Sequence, residues 1–143
     1  MIATRRICLI ALTLPVWLLG GCASTPDESP DADPYQSVFT TDLDEDDYPV
    51  DDVDEVSMKD DGQVILYTGW LMSAGPHRIV TTVRDDSGRT LVKNPYEFNA
   101  DGSEHYTWYE MTLRPPFHRP GLWTFTVDLD GEEYVEKELR VLP

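Results

Sequence analysis

Positive charge is scarce in this chain: 27 Asp and Glu stand against 11 Lys and Arg, for a formal net charge of −16. That sign disfavours nucleic acid as a partner, because neutralising phosphates needs clustered Lys and Arg. Cysteine is nearly missing too, with Cys8 and Cys22 alone. No stretch sustains helical periodicity, which excludes a helical bundle and the βα alternation of nucleotide-binding folds. His77, His105 and His118 lie far apart, without H-x-x-x-H or H-x-H spacing, so no metal-ligand motif is present and surface or loop histidines are expected. Ser57, Ser73, Ser87 and Ser103 sit in turn-like or polar settings, without the strand-to-helix elbow that exposes a nucleophile. The expectation is a protein without catalytic site, metal or cofactor.

What the chain does have begins at its N-terminus. Residues 1–21 carry a positive start (Arg5, Arg6), an apolar run from Ile7 to Leu19, and small residues before Cys22, the layout of an export signal. The run is shorter than the roughly 20 apolar residues that span a bilayer, and Pro15 interrupts it. Leu19-Gly20-Gly21-Cys22, followed by the polar stretch ASTPDESPDADP, resembles the lipobox of bacterial lipoproteins. The resemblance implies that residues 1–21 are a signal peptide and that Cys22 becomes the first mature residue. It would carry a thioether-linked diacylglycerol and an acylated amine, attaching the protein to a membrane through lipid. Several acyl chains hold where one would release, since each buried CH₂ contributes about 0.8 kcal/mol. Ala23 after the cysteine implies delivery to the outer membrane, facing the periplasm or the surface. Thr4-Arg5-Arg6 is similar to a twin-arginine signal only in its arginine pair, because Ile7 to Ile10 lack the Phe and Lys that should follow. With Cys8 lost and Cys22 lipidated, no disulfide is expected in the oxidising compartment.

Charge is also unevenly placed. From Cys22 to Asp61 there are 15 acidic residues against Lys59 alone, while from Gly62 to Pro143 there are 12 acidic against 8 basic. Residues 22–52 therefore read as a disordered, self-repelling acidic tether whose few large apolar residues cannot offset ordering entropy. Within it, Asp42, Asp44 and Asp46 fit positions 1, 3 and 5 of a calcium loop. Position 6 requires Gly and is Asp47, and position 12 requires Glu and is Val53, so no dedicated site is expected. A rival origin of the acidity is adaptation to high external salt, which needs no partner.

From Val53 onward short β-type runs alternate with turn signals. EVSMK reads as a first strand, and QVILYTGWLM, Gln63 to Met72, as a central strand buried on both faces. HRIVTTVR, NPYEF and EHYTWYEMTLRP follow, with DDSG and NADGS as turns between them. LWTFTVDL and EEYVEKELRV flank Asp130-Gly131, a two-residue connection that favours a tight hairpin. By the period of 2, Trp123, Phe125, Val127 and Leu129 face the core, answered by Val135, Leu139 and Val141, while Glu136, Glu138 and Arg140 face water. The fold class is all-β: a small antiparallel β-sandwich of about seven strands over residues 53–143, with a barrel as the alternative. PGLWTFTV followed by DLDG and LRV is similar to the end of bacterial immunoglobulin-like and fibronectin-like domains, with Pro120 and Gly121 at the corner and Trp123 where such domains often place Tyr. That resemblance implies a fold whose members adhere, bind glycans or act as spacers.

Aromatic residues carry the functional expectation. In Tyr106-Thr107-Trp108-Tyr109, alternation places Tyr109, Met111 and Leu113 on one face and Tyr106 and Trp108 on the other, and either face can be the inner one. An outward Trp beside Tyr would serve a protein partner or a sugar ring. Arg114, Phe117 and Arg119, around Pro115-Pro116, form a mixed basic and apolar loop that is a second candidate contact surface. The reading is a lipid-anchored envelope protein that binds rather than catalyses. Its partner would be an envelope protein or, alternatively, a glycan; the third reading is an enzyme whose site is assembled in three dimensions and carries no sequence signature.

Overall fold

The structure, a computed structural model, describes residues 32–143. The signal segment, Cys22 and the first part of the expected tether lie outside the described residues. Eight strands form: β1 (Ala32–Thr40), β2 (Glu55–Ser57), β3 (Gln63–Met72), β4 (Ala74–Arg84), β5 (Thr90–Asp101), β6 (Glu104–Thr112), β7 (Gly121–Leu129) and β8 (Glu132–Leu142). They build a three-stranded sheet in the order β1-β3-β6 and a five-stranded sheet in the order β2-β8-β7-β4-β5. The β-sandwich read from the sequence is the fold that forms. One pairing departs from antiparallel: β2 runs parallel to the end of β8, with Val56 opposite Val141.

Residues 32–52 require a correction, because they are part of the sandwich and not a disordered tether. β1 pairs antiparallel with β3 from Ala32↔Met72 to Thr40↔Ile65, interrupted by a bulge at Tyr35 beside Pro34, which has no N–H to donate. Two of its side chains reach the core, Ala32 and Phe39, and Phe39 meets Phe125 edge-on at 4.9 Å. Lys137 of β8 secures the strand from the opposite sheet, its ammonium donating to the Ser37 carbonyl at 2.7 Å and standing over the Phe39 ring. Apolar burial of this kind offsets the repulsion that the acidic composition suggests.

β3 is buried on both faces, as its nearly continuous apolar sequence predicts. Val64, Leu66, Trp70 and Met72 belong to the core between the sheets, whereas Ile65 and Tyr67 are equally buried but outside it. The core is closed from the other side by Trp123, Phe125, Val127 and Leu129 of β7 and by Val135, Leu139 and Val141 of β8. Both core tryptophans find acceptors for their indole N–H groups, Trp70 in Thr107 Oγ1 at 2.9 Å and Trp123 in the Arg119 carbonyl at 3.1 Å. At the β7–β8 turn, Asp130 (φ 53°) and Gly131 (φ 94°) are both left-handed, as a two-residue hairpin of matching twist requires. The Asp130 carboxylate also reaches β4, accepting the Arg78 N–H at 2.8 Å and lying 2.7 Å from His77 Nδ1. His77 is thus buried rather than a surface histidine, its other nitrogen 3.0 Å from the Ser73 carbonyl.

NPYEF is not a separate strand but the middle of β5, which pairs with β4 along its length. The NADGS turn does not close a hairpin: β5 and β6 belong to different sheets, so Gly102 (φ 89°) turns the chain across the sandwich. This crossover sets β5 and β6 side by side as unpaired edges on one flank of the molecule.

Candidate binding surface around strand β6

β6 places its side chains as the alternation predicts. Met111 and Leu113 are buried and Tyr109 is half-buried, while Trp108 is 48% exposed on the outer face. On that face Tyr106 and Trp108 lie opposite Gly69 and Tyr67 of β3. Gly69 leaves room for a ring: a Cβ there would stand 2.8 Å from Tyr35 Cζ, so the Tyr35 side chain lies across the glycine. Tyr106 becomes the centre of a tyrosine cluster, stacked on Tyr67 at 5.6 Å and met edge-on by Tyr35 at 6.4 Å and Tyr48 at 5.6 Å.

Tyr48 arrives from the acidic stretch, which folds into a loop over the outer face of the three-stranded sheet. Two devices hold that loop. Asp51 accepts the hydroxyls of Thr40 at 2.5 Å and Thr41 at 2.7 Å and the Thr41 N–H at 2.9 Å, tying the loop's end to the end of β1. Partial burial pushes the Asp51 carboxyl up, but the hydrogen bonds from Thr40 and Thr41 outweigh it and hold it below its ordinary value. At the loop's tip Asp44 Oδ1 accepts the N–H groups of Asp46 and Tyr48, both at 2.9 Å, and Asp47 takes a left-handed φ of 63°. The Asp44 carboxylate is therefore used to stabilise a turn. Among the described residues no group of three His, Cys, Asp or Glu side chains converges to hold a metal ion.

The loop and β6 together enclose a hollow of about 300 Å³, with Tyr48, Tyr67, Tyr106 and Trp108 as aromatic walls and Asp46, Asp47 and Glu104 among its lining. Its electrostatics are dominated by negative charge. Burial pushes the Tyr67 hydroxyl up to about 12, reinforced by Tyr48, Tyr35, Asp44 and Asp47. The Tyr106 hydroxyl is also raised, through its hydrogen bond with Tyr35, burial, and the Glu104 carboxylate, to which it donates at 3.1 Å. Both tyrosines are neutral hydrogen-bonding groups at physiological pH.

On the inner side of β6 a second space opens, a cleft of about 460 Å³ between the two sheets along the β5 and β6 edges. Leu66, Ile79 and Val127 contribute apolar surface, Asn94, His105 and Thr107 polar groups, and Tyr96, 56% exposed, stands at its β5 side. Near the crossover His105 stacks flat on Phe98 at 4.5 Å, joining the two edges. Burial lowers the His105 pKa, Asp101 opposes that shift and His77 adds to it, so the ring is neutral at pH 7.

The structure does not bring the two sets of sequence-identified residues into one site. Tyr106 and Trp108 border both the hollow and the cleft, whereas Arg114, Phe117 and Arg119 line neither and belong to the loop between β6 and β7. That loop holds the cis Pro115-Pro116 bond and a turn in which His118 and Phe117 donate their N–H groups to the Arg114 carbonyl. Phe117 projects from it, 78% exposed. The sequence pattern presents Tyr67 and Glu104 only as strand residues, and Tyr35, Tyr48, Asp46 and Asp47 as part of the tether. The signal that could have found the latter was QSVFTT, a β-type run ahead of the acidic loop.

No protein-family model matches the chain, and no curated protein sequence does. Solved structures are similar in fold. An immunoglobulin-like protein from Pseudomonas aeruginosa is 13% identical with a TM-score of 0.51, over 77% of this chain and 95% of that one. A Pseudomonas fluorescens alkylpurine DNA glycosylase, AlkC, bound to DNA containing an abasic site analogue, gives 14% identity and 0.55 over 79% of this chain. A β-D-mannosidase from Dictyoglomus thermophilum gives 13% and 0.52 over 78%. This chain spans only 31% of the glycosylase and 13% of the mannosidase. At such identities the likeness is one of architecture, and a sandwich of this kind hosts unrelated functions. What these neighbours and the strand order jointly establish is an immunoglobulin-like β-sandwich.

Proposed function

We propose that this is a lipid-anchored envelope protein whose immunoglobulin-like sandwich is a non-catalytic binding module, recognising an envelope protein through the outer face of β6. The lipobox residues Leu19 to Cys22 support the anchor, and Ala23 supports the outer membrane as its destination. The observation that carries the binding role is the hollow at β6, where a half-exposed Trp and three Tyr residues stand beside carboxylates on a surface the fold does not need for its core. Amphipathic rings with few rotatable bonds make contact area at low entropic cost, which favours recognition. The test is a photo-crosslinking amino acid at position 108 in whole cells: one discrete adduct is expected, lost when Cys22→Ala removes the anchor. A normal crosslink-free envelope under both conditions would refute the reading.

A second reading, carbohydrate recognition, is favoured by the inter-sheet cleft, where Tyr96 and Trp108 border Asn94, His105 and Thr107. Aromatic faces with a few placed polar groups suit a sugar ring. Sedimentation with peptidoglycan and exopolysaccharide, before and after Trp108→Ala, decides it; retention of neither glycan removes this reading.

A further inference from the structure

We propose that β6 is a strand-addition site for an extended segment of a partner protein that alternates basic and apolar residues. The inference rests on reading β6 as the contact surface and specifies how that contact is made. β6 is hydrogen-bonded to β3 on one side and ends the sheet on the other, so a row of backbone donors and acceptors faces outward. The other edges are blunted. β1 carries Pro34 and a bulge, β5 carries Pro95, and β2 is three residues long. β6 has neither proline nor bulge: its register with β3 runs unbroken from Gln63↔Thr112 to Leu71↔Glu104. The stretch of β8 that β2 leaves without a strand partner, Glu132 to Leu139, carries a bulge at Tyr134, so β6 is the long regular edge among the described strands.

The spaces on its two sides define what would pair. Side chains of an added strand alternate between faces, so one set would enter the acidic aromatic hollow and the other would overlie the inter-sheet cleft. The hollow selects cations: Asp46, Asp47 and Glu104 enter no ion pair in the described structure, and no Lys or Arg lines the space. Ammonium or guanidinium groups would meet both carboxylates and ring faces there, while the −16 net charge draws basic segments and repels acidic ones. The cleft, whose lining includes Leu66, Ile79 and Val127, selects apolar residues. A second copy of this chain fits poorly, since pairing β6 with β6 would bring Glu104 and Glu110 of both copies to one edge. Residues 23–31 of this chain fit no better, having no Lys or Arg and two prolines.

The probe is a synthetic nine-residue peptide alternating Lys and Val, equal in length to β6, titrated against the full-length lipoprotein in detergent micelles. Binding is expected to weaken with salt, and the Glu–Val counterpart should not bind. Methylating the peptide's backbone nitrogens on one alternate set should weaken binding by about tenfold or more, and on the other set by less than about twofold, because only one set faces β6. Asp46→Asn, Asp47→Asn and Glu104→Gln together should cost about tenfold with an unchanged Tm. Absence of Lys–Val binding, equal binding of the Glu–Val peptide, or equal effects of the two methylation sets overturns strand addition, as does a crosslink joining β6 of two copies. If the crosslink at position 108 persists while the peptide fails, the binding module stands and strand addition alone falls; if both fail, both fall.

Discussion

Two aromatic clusters lie on opposite sides of the three-stranded sheet. Inside, Phe39 of β1 and Trp70 of β3 pack toward Trp123 and Phe125 of β7, all essentially inaccessible to water. Outside, Tyr35 of β1, Tyr67 of β3, and Tyr106 and Trp108 of β6 gather beneath Tyr48 of the acidic loop. The inner cluster consists of Phe and Trp, with each indole N–H satisfied; the outer cluster is mostly Tyr at a surface lined by carboxylates, one of which, Glu104, accepts the Tyr106 hydroxyl. Apolar rings between sheets supply folding free energy, whereas amphipathic rings under a thin loop supply a surface that another molecule can use. Substitutions in the two clusters should therefore separate stability from binding.

The largest effect belongs to the inner cluster. Phe39→Ala removes a buried ring from between the sheets and its edge-on partner Phe125, at a cost of about 3–5 kcal/mol. Urea denaturation of the full chain measures it. A change below about 1 kcal/mol would mean that β1 is an ornament on a domain starting near Val53, and the contrast between the faces would lose its inner half.

That strand is also where the sequence was hardest to read. The β7–β8 hairpin was legible because Asp130-Gly131 marks the turn and Trp123 to Leu129 alternate cleanly; all four inward positions are buried. The alternation of Trp108 with Tyr109, Met111 and Leu113 was legible for the same reason, but which face turns outward was not, because both carry large rings. β1 was obscured because its apolar content is slight and prolines and carboxylates surround it. Composition treats every Asp as a solvated charge, yet Asp44 and Asp51 are acceptors that shape and fasten a loop. Asp46, Asp47 and Tyr48 of the hollow come from that loop, whose tip lies some sixty residues before Trp108, a distance no local pattern bridges. The Arg114–Arg119 loop is nearer in sequence but lies past the end of β6, and strand geometry carries it away from the hollow.

An intermediate effect is expected at the loop's fastening. Asp51→Asn should cost about 1 kcal/mol, since it weakens acceptors for Thr40 and Thr41. Amide exchange across residues 42–50 should rise more than in the sheets. The pH dependence carries the same signature. Asp51, Asp85 and Asp101 all have pKa values below their ordinary 3.8: for Asp51 the threonine hydrogen bonds overcome burial, and for Asp85 and Asp101 the first cause is the hydroxyl of Ser87 or Ser103. A depressed folded-state pKa means that the folded state holds fewer protons than the unfolded one. The stabilisation is fully present above about pH 4 and is lost as pH falls through the folded-state values. Thermal melts between pH 7 and pH 2 should show a declining Tm at the acid end, with a smaller decline in Asp51→Asn. A Tm that rises on acidification would contradict the assigned hydrogen bonds.

Smaller still is the consequence of uncovering the outer cluster. Tyr48→Ala removes one edge-on ring contact with Tyr106 at an exposed position, worth about 0.5 kcal/mol, the low end for an aromatic pair. Its sharper readout is the ionisation of Tyr67, held up near 12 by burial and then by Tyr48 itself. Spectrophotometric titration of the tyrosines should show one group moving down toward the ordinary value of 10 in the variant. Were the tyrosine that ionises near 12 unmoved, the loop would not be the cover that buries Tyr67.

The smallest stability effect, and the most informative one, is at Trp108. The residue is 48% exposed, lies outside the core cluster and makes no hydrogen bond among those described, so Trp108→Ala should change stability by no more than about 0.5 kcal/mol. If the outer face exists for recognition, the same substitution should remove most binding through β6, because a large ring at the centre of a contact commonly supplies a disproportionate share of it. Phe39→Ala at a temperature where it remains folded gives the opposite pattern, reduced stability with binding retained. Denaturation and titration of both variants on the same preparation test that crossing directly. Parallel losses in both quantities for Trp108→Ala would mean that this ring is structural after all, and that the outer face supports the fold in the way the inner one does.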